Sequence, residues 1–375
     1  MKLVEYLESK MESVQHIPHI EELILSNDTN KAIDILEQLV ESKLTPTIKF
    51  DGMPAVIFGI NPENGKFAIG SKRIYTRPAH SEKEINEIYS DIDELRVIFL
   101  DLFKYLKPYV KSGMYMGDLM WRKDKPLRVN GDNIVFQPNT IVYQVPKDSK
   151  LGKEIINKPY GMVLHTKLTG QTLKTMSKSS DIDIEKFKSI PEVWVGDAKI
   201  DTYAGNDKKF DFSDIAKDIN DIKKYYAHAS ISDIIPLTRL QPIFNKLNQT
   251  QFDKTTSVDK KLEILIDIIK EVYNKNYKTP NKLNEVLEKI NSNPKLFKDF
   301  IELNDRIIDI KNKIMSRLNS VAVFKTSLDP NGVFDSNVGE GFVIPVGNGM
   351  VKLVDRKEFS RINAIKNEGL MRKKQ

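Results

Sequence analysis

The sequence contains no cysteine. That excludes a disulfide framework, thiolate-bound zinc and a thiol nucleophile. No apolar run approaches bilayer-spanning length, so no membrane partner is expected. The opening "MKLVEYLESKMESV" reads as an amphipathic helix without the apolar core of a signal peptide, and the expected location is cytoplasmic. The histidines form no second cluster of ligands. His16 and His19 flank Ile17 and Pro18, while His80, His165 and His228 are scattered, so zinc is not expected. There is no internal repeat and no long low-complexity tract.

What is present is globular in composition. The 375 residues are 40% hydrophobic and 29% charged, enough for one large or two ordinary domains, each with its own core. Lys+Arg 58 against Asp+Glu 52 gives a net charge of +6. That excess suits a polyanion partner and equally suits an ordinary basic surface. No protein partner can be inferred.

Three regimes follow one another along the chain. Residues 1–44 look helical, with Ile33, Leu36, Leu39 and Val40 on one face of "KAIDILEQLVESKL". Residues 45–170 look β-rich: "PAVIFGI", "KFAIGSK", "SGMYMGDLMW", "NIVFQPNTIVYQVP" and "YGMVLHTKL" are short runs bounded by Gly, Pro and Asn. One helix, "EKEINEIYSDIDELRVIFLDLFKYL", interrupts them. Residues 171–320 read as a mainly helical insertion. Strands return from 321, in "AVFKT", "GEGFVIPV" and "GMVKLVD". The division expected is therefore 1–44, then one β domain made of 45–170 and 321–375, with 171–320 inserted into it.

"TPTIKFDGMPAVIFG" places Lys49 and Asp51 inside a β-prone, apolar run. Charged side chains are seldom fully buried unless paired or working. On strand alternation Asp51 shares a face with Lys49. The pattern Lys-x-Asp-Gly, "KFDG" with Gly52, resembles the nucleophile motif of the covalent nucleotidyltransferases. That superfamily holds ATP- and NAD-dependent DNA ligases, RNA ligases and mRNA capping enzymes. Further pieces follow in the family's order. Ser71, Lys72 and Arg73 in "FAIGSKRIYT" resemble the next motif, which offers basic groups to the substrate phosphate. "YMGDLMW" matches a strand of apolar-Gly-carboxylate-apolar pattern, with Asp118 where the family usually has Glu. "NVGEGFVIPV" matches the acidic fourth motif at Glu340 and Gly341, and "GMVKLVD" resembles the lysine strand that closes the site, with Lys352.

The resemblance implies an α+β fold. It consists of an antiparallel-sheet nucleotidyltransferase (ATP-grasp-like ligase) domain with a large helical insertion, N-terminal helices and no OB-fold. It implies Lys49, Asp51 and Lys352 as catalytic residues. Lys49, Gly52, Lys72, Arg73, Tyr143, Glu340 and Lys352 would hold ATP, and Asp118 and Glu340 would hold Mg²⁺. Tyr143 is the expected face for the base, with Phe136 and Tyr160 as rivals. His165 either lines the nucleotide pocket or packs in its strand, the second being favoured. The chain departs from the family at Val354, where a second lysine is usual and Arg356 or Lys357 is the nearest substitute. It also has Pro54 where DNA ligases favour arginine. Only twenty residues follow Asp355, too few for an OB-fold, which favours the RNA-ligase kind. A looser likeness is to compact ligase-like proteins of large phages. The expected activity is ATP-dependent joining of RNA, more than DNA, at a 5′-phosphate through a lysyl-AMP intermediate. A capping-type transferase and a non-catalytic nucleic-acid-binding protein are the alternatives. The insertion would hold the nucleic acid through "DIKKYYAH" and "RLQPIFNKLNQTQFDKT", stretches that also read as ordinary solvated helix faces over core aromatics.

Overall fold

Short apolar runs closed by Gly, Pro or Asn become strands here, because a pleated ribbon buries alternate side chains and such residues stop it. The computed structural model describes residues 17–203, 211–226, 229–250, 252–253, 255–276, 280–328, 334, 341–347 and 349–355. The fold is mixed α+β, and its chain divides into two compact units. The first takes in the described residues of 45–208 and 319–350. The second takes in those of 17–44, 209–318 and 351–355.

In the first unit the strands are β1 (Thr47–Ile48), β2 (Ala55–Ile60), β3 (Phe67–Gly70), β4 (Met114–Trp121), β5 (Arg128–Asn130), β6 (Asn133–Phe136), β7 (Val142–Pro146), β8 (Tyr160–Thr169), β9 (Ser177–Ser179) and β10 (Val193–Asp197). After the helical stretch come β11 (Lys325–Ser327) and β12 (Phe342–Val346), followed by β13 (Gly349–Leu353), which runs across the boundary between the units in sequence. The largest sheet has the order β10-β8-β4-β2-β3, with β9 added against β8. A second has the order β11-β7-β6-β5, and β1 pairs antiparallel with β12. Every pair in the large sheet is antiparallel except β10 on β8, which is parallel, with Val193 opposite Tyr160 and Asp197 opposite Leu164. β10 is the edge of that sheet.

Alternation assigns the faces of the large sheet. Val56, Phe58, Ile69, Tyr115, Leu119, Met162 and Leu164 point to one side. There they pack on the helices Glu82–Ile88 and Asp93–Leu106 through Ile85, Leu95, Phe99 and Leu102. These helices were expected as one. They break at Tyr89–Ile92, where the Tyr89 phenol leaves the helix line to accept from the Ser71 N–H at 2.9 Å. The other side carries a smaller apolar group, Ile57, Ala68, Ile74, Met114, Leu168 and Leu173. A third core, with Trp121, Phe136, Tyr143, Val163 and Phe324, joins the large sheet to the second one.

The second unit is helical, with helices Thr29–Val40, Ser213–Tyr226, Leu237–Gln249, Val258–Asn276, Asn281–Ser292 and the long Pro294–Val321 among its elements. Its stripes are amphipathic, and Phe244 meets Phe300 edge-on at 5.2 Å. Buried Lys311 donates to Glu21 Oε1 at 3.1 Å and to the Val354 carbonyl at 2.8 Å.

Two expected boundaries move. The β unit continues past 170 to 208, because β9 and β10 extend the large sheet from sequence that read as part of the helical insertion. The described part of the N-terminal segment groups with 209–318, since Thr29–Val40 packs on Ser213–Tyr226 and Lys223 pairs with Glu37 at 2.6 Å.

Candidate functional site

Lys49 is not in the middle of a strand. β1 ends at Ile48 and β2 begins at Ala55, so residues 49–54 form an irregular connection. It is held almost residue by residue. The Ile48 N–H donates to the Ala198 carbonyl at 2.7 Å, and the Lys49 N–H donates to the Gly341 carbonyl at 2.9 Å. The Met53 N–H donates to the Leu119 carbonyl at 2.9 Å. Gly52 lies flat on β4: a Cβ there would stand 2.4 Å from Asp118 Cβ, closer than carbon atoms approach. Glycine is thus the residue that lets this connection sit beside Asp118.

Asp51 does not share a strand face with Lys49. Its carboxylate is 5% exposed and turns inward. Oδ1 accepts from Asn139 Nδ2 at 2.7 Å, and Oδ2 accepts from the N–H groups of Thr140 and Ile141 at 2.6 and 2.7 Å. Asp51 therefore ties the Lys49 connection to the turn before β7.

Asp118 stands on β4 opposite Ala55 of β2 and Val163 of β8. The ladder between β4 and β8 slips there: Gly117 faces Leu164 and Met116 faces Thr166, leaving His165 as the extra residue of a bulge. A bulge re-aims a side chain. It brings His165 Nε2 to 3.6 Å from Asp118 Oδ2, while His165 Nδ1 meets the Thr166 hydroxyl at 2.8 Å. Both side chains are partly screened, at 30% and 23% exposure. Burial pushes the Asp118 carboxyl above its ordinary value, opposed by His165, Lys49 and Lys72, while Asp51 adds to the rise. Burial lowers His165; Asp118 opposes this, and Lys178 and Lys49 reinforce it. Burial also lowers Lys72, against the pull of Asp118, with Lys178 again on the lowering side.

Lys49 and Lys72 thus act on Asp118, and Lys178 on Lys72 and His165, so three lysines gather about one carboxylate and an imidazole whose charged form burial disfavours. Such a group suits a phosphorylated ligand: the lysines offer point charges, and Asp118 can orient an ammonium or share a cation. Among the described residues no three acidic or histidine side chains are grouped to hold a metal. Asp118 is in the described group and could contribute to an Mg²⁺ site; Glu340 lies outside the described residues.

Several other expected residues are spent on packing. Arg73 turns to the helix side, donating to the Ile88 carbonyl at 2.6 Å, 3.5 Å from Asp91 and over the Tyr89 ring. Residues Lys72–Tyr75 form a tight turn that splays neighbouring side chains apart. Tyr143 is 3% exposed, with Phe136 stacked on it at 5.3 Å and its phenol oxygen accepting from the Asp51 N–H at 2.8 Å. It lines, with Lys49, a pocket of about 20 Å³, too small for a base. Its rivals are buried too: Phe136 packs on Trp121, and Tyr160 donates to Asp101 at 2.8 Å. Lys352 falls in the second unit, where its N–H donates to the Pro18 carbonyl at 2.8 Å. Lys178 was missed by the sequence reading. Its "SKS" falls in the stretch that reads as a mainly helical insertion, and only its pairing with Leu168 in β8 brings it to this side.

Because burial raises Asp118, the ionised carboxylate costs the folded state stability. The favourable contribution is present below the unfolded carboxylate value, about pH 4, and is lost as pH rises through the folded value. Asp118→Asn, neutral at every pH, should melt at or above the wild-type temperature near neutrality and lack that decline. Thermal melts from about pH 4 to 8 check this. A variant less stable than wild type at neutral pH would show that the surrounding cations outweigh burial.

This is a mixed α+β protein with a lysine-rich, anion-suited site on one face of its main sheet. The chain belongs to the family of unknown function DUF6267, which it matches over residues 14–367. No curated protein and no solved structure matches it.

Proposed function

We propose that this protein is an ATP-dependent polynucleotide ligase of the RNA-ligase kind, with Lys49 as its nucleophile. One observation carries the reading: the "KFDG" lysine sits in a pinned connection whose neighbours in charge are Asp118 and His165, themselves coupled to Lys72 and Lys178. The Lys49 amine attacks the α-phosphorus of ATP. A P–N bond forms, the bond to the β-phosphate oxygen breaks, and pyrophosphate leaves with the amine proton released to solvent. The AMP group then passes to a 5′-phosphate, and a 3′-hydroxyl displaces AMP to seal the strand. Lys72 and Lys178 offset charge on the phosphates, and Asp118 fixes the approach of the amine. Bound Mg²⁺, with Asp118 on its side, would neutralise phosphate charge. Neither Glu340 nor Lys352 is needed for this assignment.

A second reading, a non-catalytic nucleic-acid-binding protein on a ligase-like fold, is favoured by one finding: Tyr143 is buried and Asp51 is consumed by hydrogen bonds, so an expected nucleotide contact and an expected catalytic residue are spent on structure. Incubation with α-labelled ATP, α-labelled GTP or adenylate-labelled NAD, each with Mg²⁺, separates the readings. The expected result is acid-labile label from ATP that stays on the denatured chain. Label from GTP alone would make the protein a capping-type transferase. No label from any of the three leaves the binding protein.

A further inference from the structure

β10 is the edge of the main sheet, and its outer side forms one wall of a cleft of about 770 Å³. That size is within the range of sites that enclose a small molecule or a few groups of a larger one. Lys150 and Glu154, Lys188, Asp201, and Trp194 and Gly196 of β10 line it. None of them belongs to the Lys49 group.

Trp194 is built as a platform. One face lies on the buried Trp121 ring, 5.5 Å away and 26° from parallel. Its indole N–H points to Glu154 Oε2 at 3.4 Å, and its far edge lies over Gly196, where a Cβ would come within 2.3 Å of the ring. Gly196 is therefore required for the ring to lie down. A half-buried indole, backed by a second indole and fixed at its edge, is a costly arrangement for a surface with no ligand. The groups beside it fit a nucleobase and its phosphates. The outer backbone groups of an edge strand supply donors and acceptors for a base edge. Lys150 and Lys188 are exposed at the rim, where Lys188 pairs with Glu185 and also feels Glu154 and Asp197. The cleft is also coupled to the Lys49 connection: the Ala198 carbonyl, one residue past β10, accepts from the Ile48 N–H.

We propose that this cleft seats an unpaired base of a single-stranded nucleic acid, stacked on Trp194, with Lys150 and Lys188 meeting the flanking phosphates. The proposal rests on the polynucleotide reading above and names where the strand lies. Stacking on an aromatic side chain is sequence-tolerant, so the site would select single strands over a particular sequence.

The protein contains two tryptophans, and both are in this stack. Intrinsic fluorescence therefore reports the cleft directly. Titration with a 12-mer oligouridylate bearing a 5′-hydroxyl, which cannot be adenylated, should quench the emission. Anisotropy of the same oligonucleotide, fluorescein-labelled, measures the variants. Trp194→Ala should weaken binding about tenfold or more, and Trp194→Phe should restore part of the loss. Lys150→Glu with Lys188→Glu, both exposed and unable to disturb the core, should weaken binding and reduce the salt slope by about 0.7 per lysine. Unchanged emission overturns the proposal, as does wild-type affinity and salt slope in the double charge variant. Quenching by an extended peptide but not by the oligonucleotide overturns it in favour of strand addition. Labelling of the wild-type chain by ATP is read separately. Quenching without labelling keeps the cleft and removes the ligase reading; labelling without quenching does the reverse.

Discussion

Lys49→Ala is expected to reduce covalent labelling from α-labelled ATP to background while the melting temperature stays within a few degrees of wild type. Removing the amine removes the only atom that forms the P–N bond. The main-chain bonds that fix the connection survive, because they use the Lys49 N–H and the Gly341 carbonyl, and the side chain is only half-buried. Lys49→Arg should fail equally, since a guanidinium does not deprotonate and is no nucleophile. Label is measured on the denatured chain after a gel, and folding by circular dichroism. Label retained at the wild-type level in either variant would place the nucleophile elsewhere. Loss of label together with loss of fold in Lys49→Ala, but not in Lys49→Arg, would make Lys49 a structural residue.

Asp51→Ala is expected to produce the largest loss of stability. Its buried carboxylate accepts three hydrogen bonds from Asn139, Thr140 and Ile141. Deleting it strands the buried Ile141 N–H and the part-buried Thr140 N–H and Asn139 amide, each costing up to about 1–3 kcal/mol when left without a partner. A net loss of about 3–5 kcal/mol is expected, with the unfolding midpoint of the β unit falling on the order of 10 °C. Asp51→Asn should recover most of the loss, because its oxygen can accept both backbone N–H groups while its N–H₂ donates to the Asn139 amide turned to present its oxygen. Urea and thermal unfolding check both variants. A midpoint within about 2 °C of wild type would free Asp51 from its anchoring role and return it to the catalytic role that the family resemblance implies.

Much of the strand layout was legible because "PAVIFGI", "KFAIG" and "MYMGDLMW" are short, apolar and closed by turn residues, and they fold as β2, β3 and β4. The mixed α+β character with antiparallel sheets was legible for the same reason. β10 was not. "VWVGD" is five residues long, and its strand identity depends on lying parallel to β8 across an intervening loop, which no local pattern records. The site was legible in part. "KFDG" drew attention to Lys49, and the apolar-Gly-carboxylate pattern to Asp118, but motif spacing says nothing about where side chains turn. Lys72 and Arg73 are adjacent in sequence and diverge in space because the chain coils tightly at Lys72–Tyr75. Tyr143 was the expected face for a base, but it is buried against Phe136 on the neighbouring strand. His165 reaches Asp118 only through a one-residue bulge, a feature of strand pairing that is invisible in either strand alone.

The pairing of β1 with β12 sets a clock on synthesis. Thr47 donates its hydroxyl proton to the Val343 carbonyl, a partner 296 positions later. At about 5–20 residues per second, the ribosome needs roughly 15–60 s to deliver that partner. Until then β1 is paired on one side only, against residues 198–200, and β7 lacks β11 on its outer side, since Lys325–Ser327 also arrives late. The Lys49 connection thus cannot take its final shape while the helical stretch is being made. The nascent chain carries two open strand edges through that interval, the period in which it is most exposed to pairing with another chain.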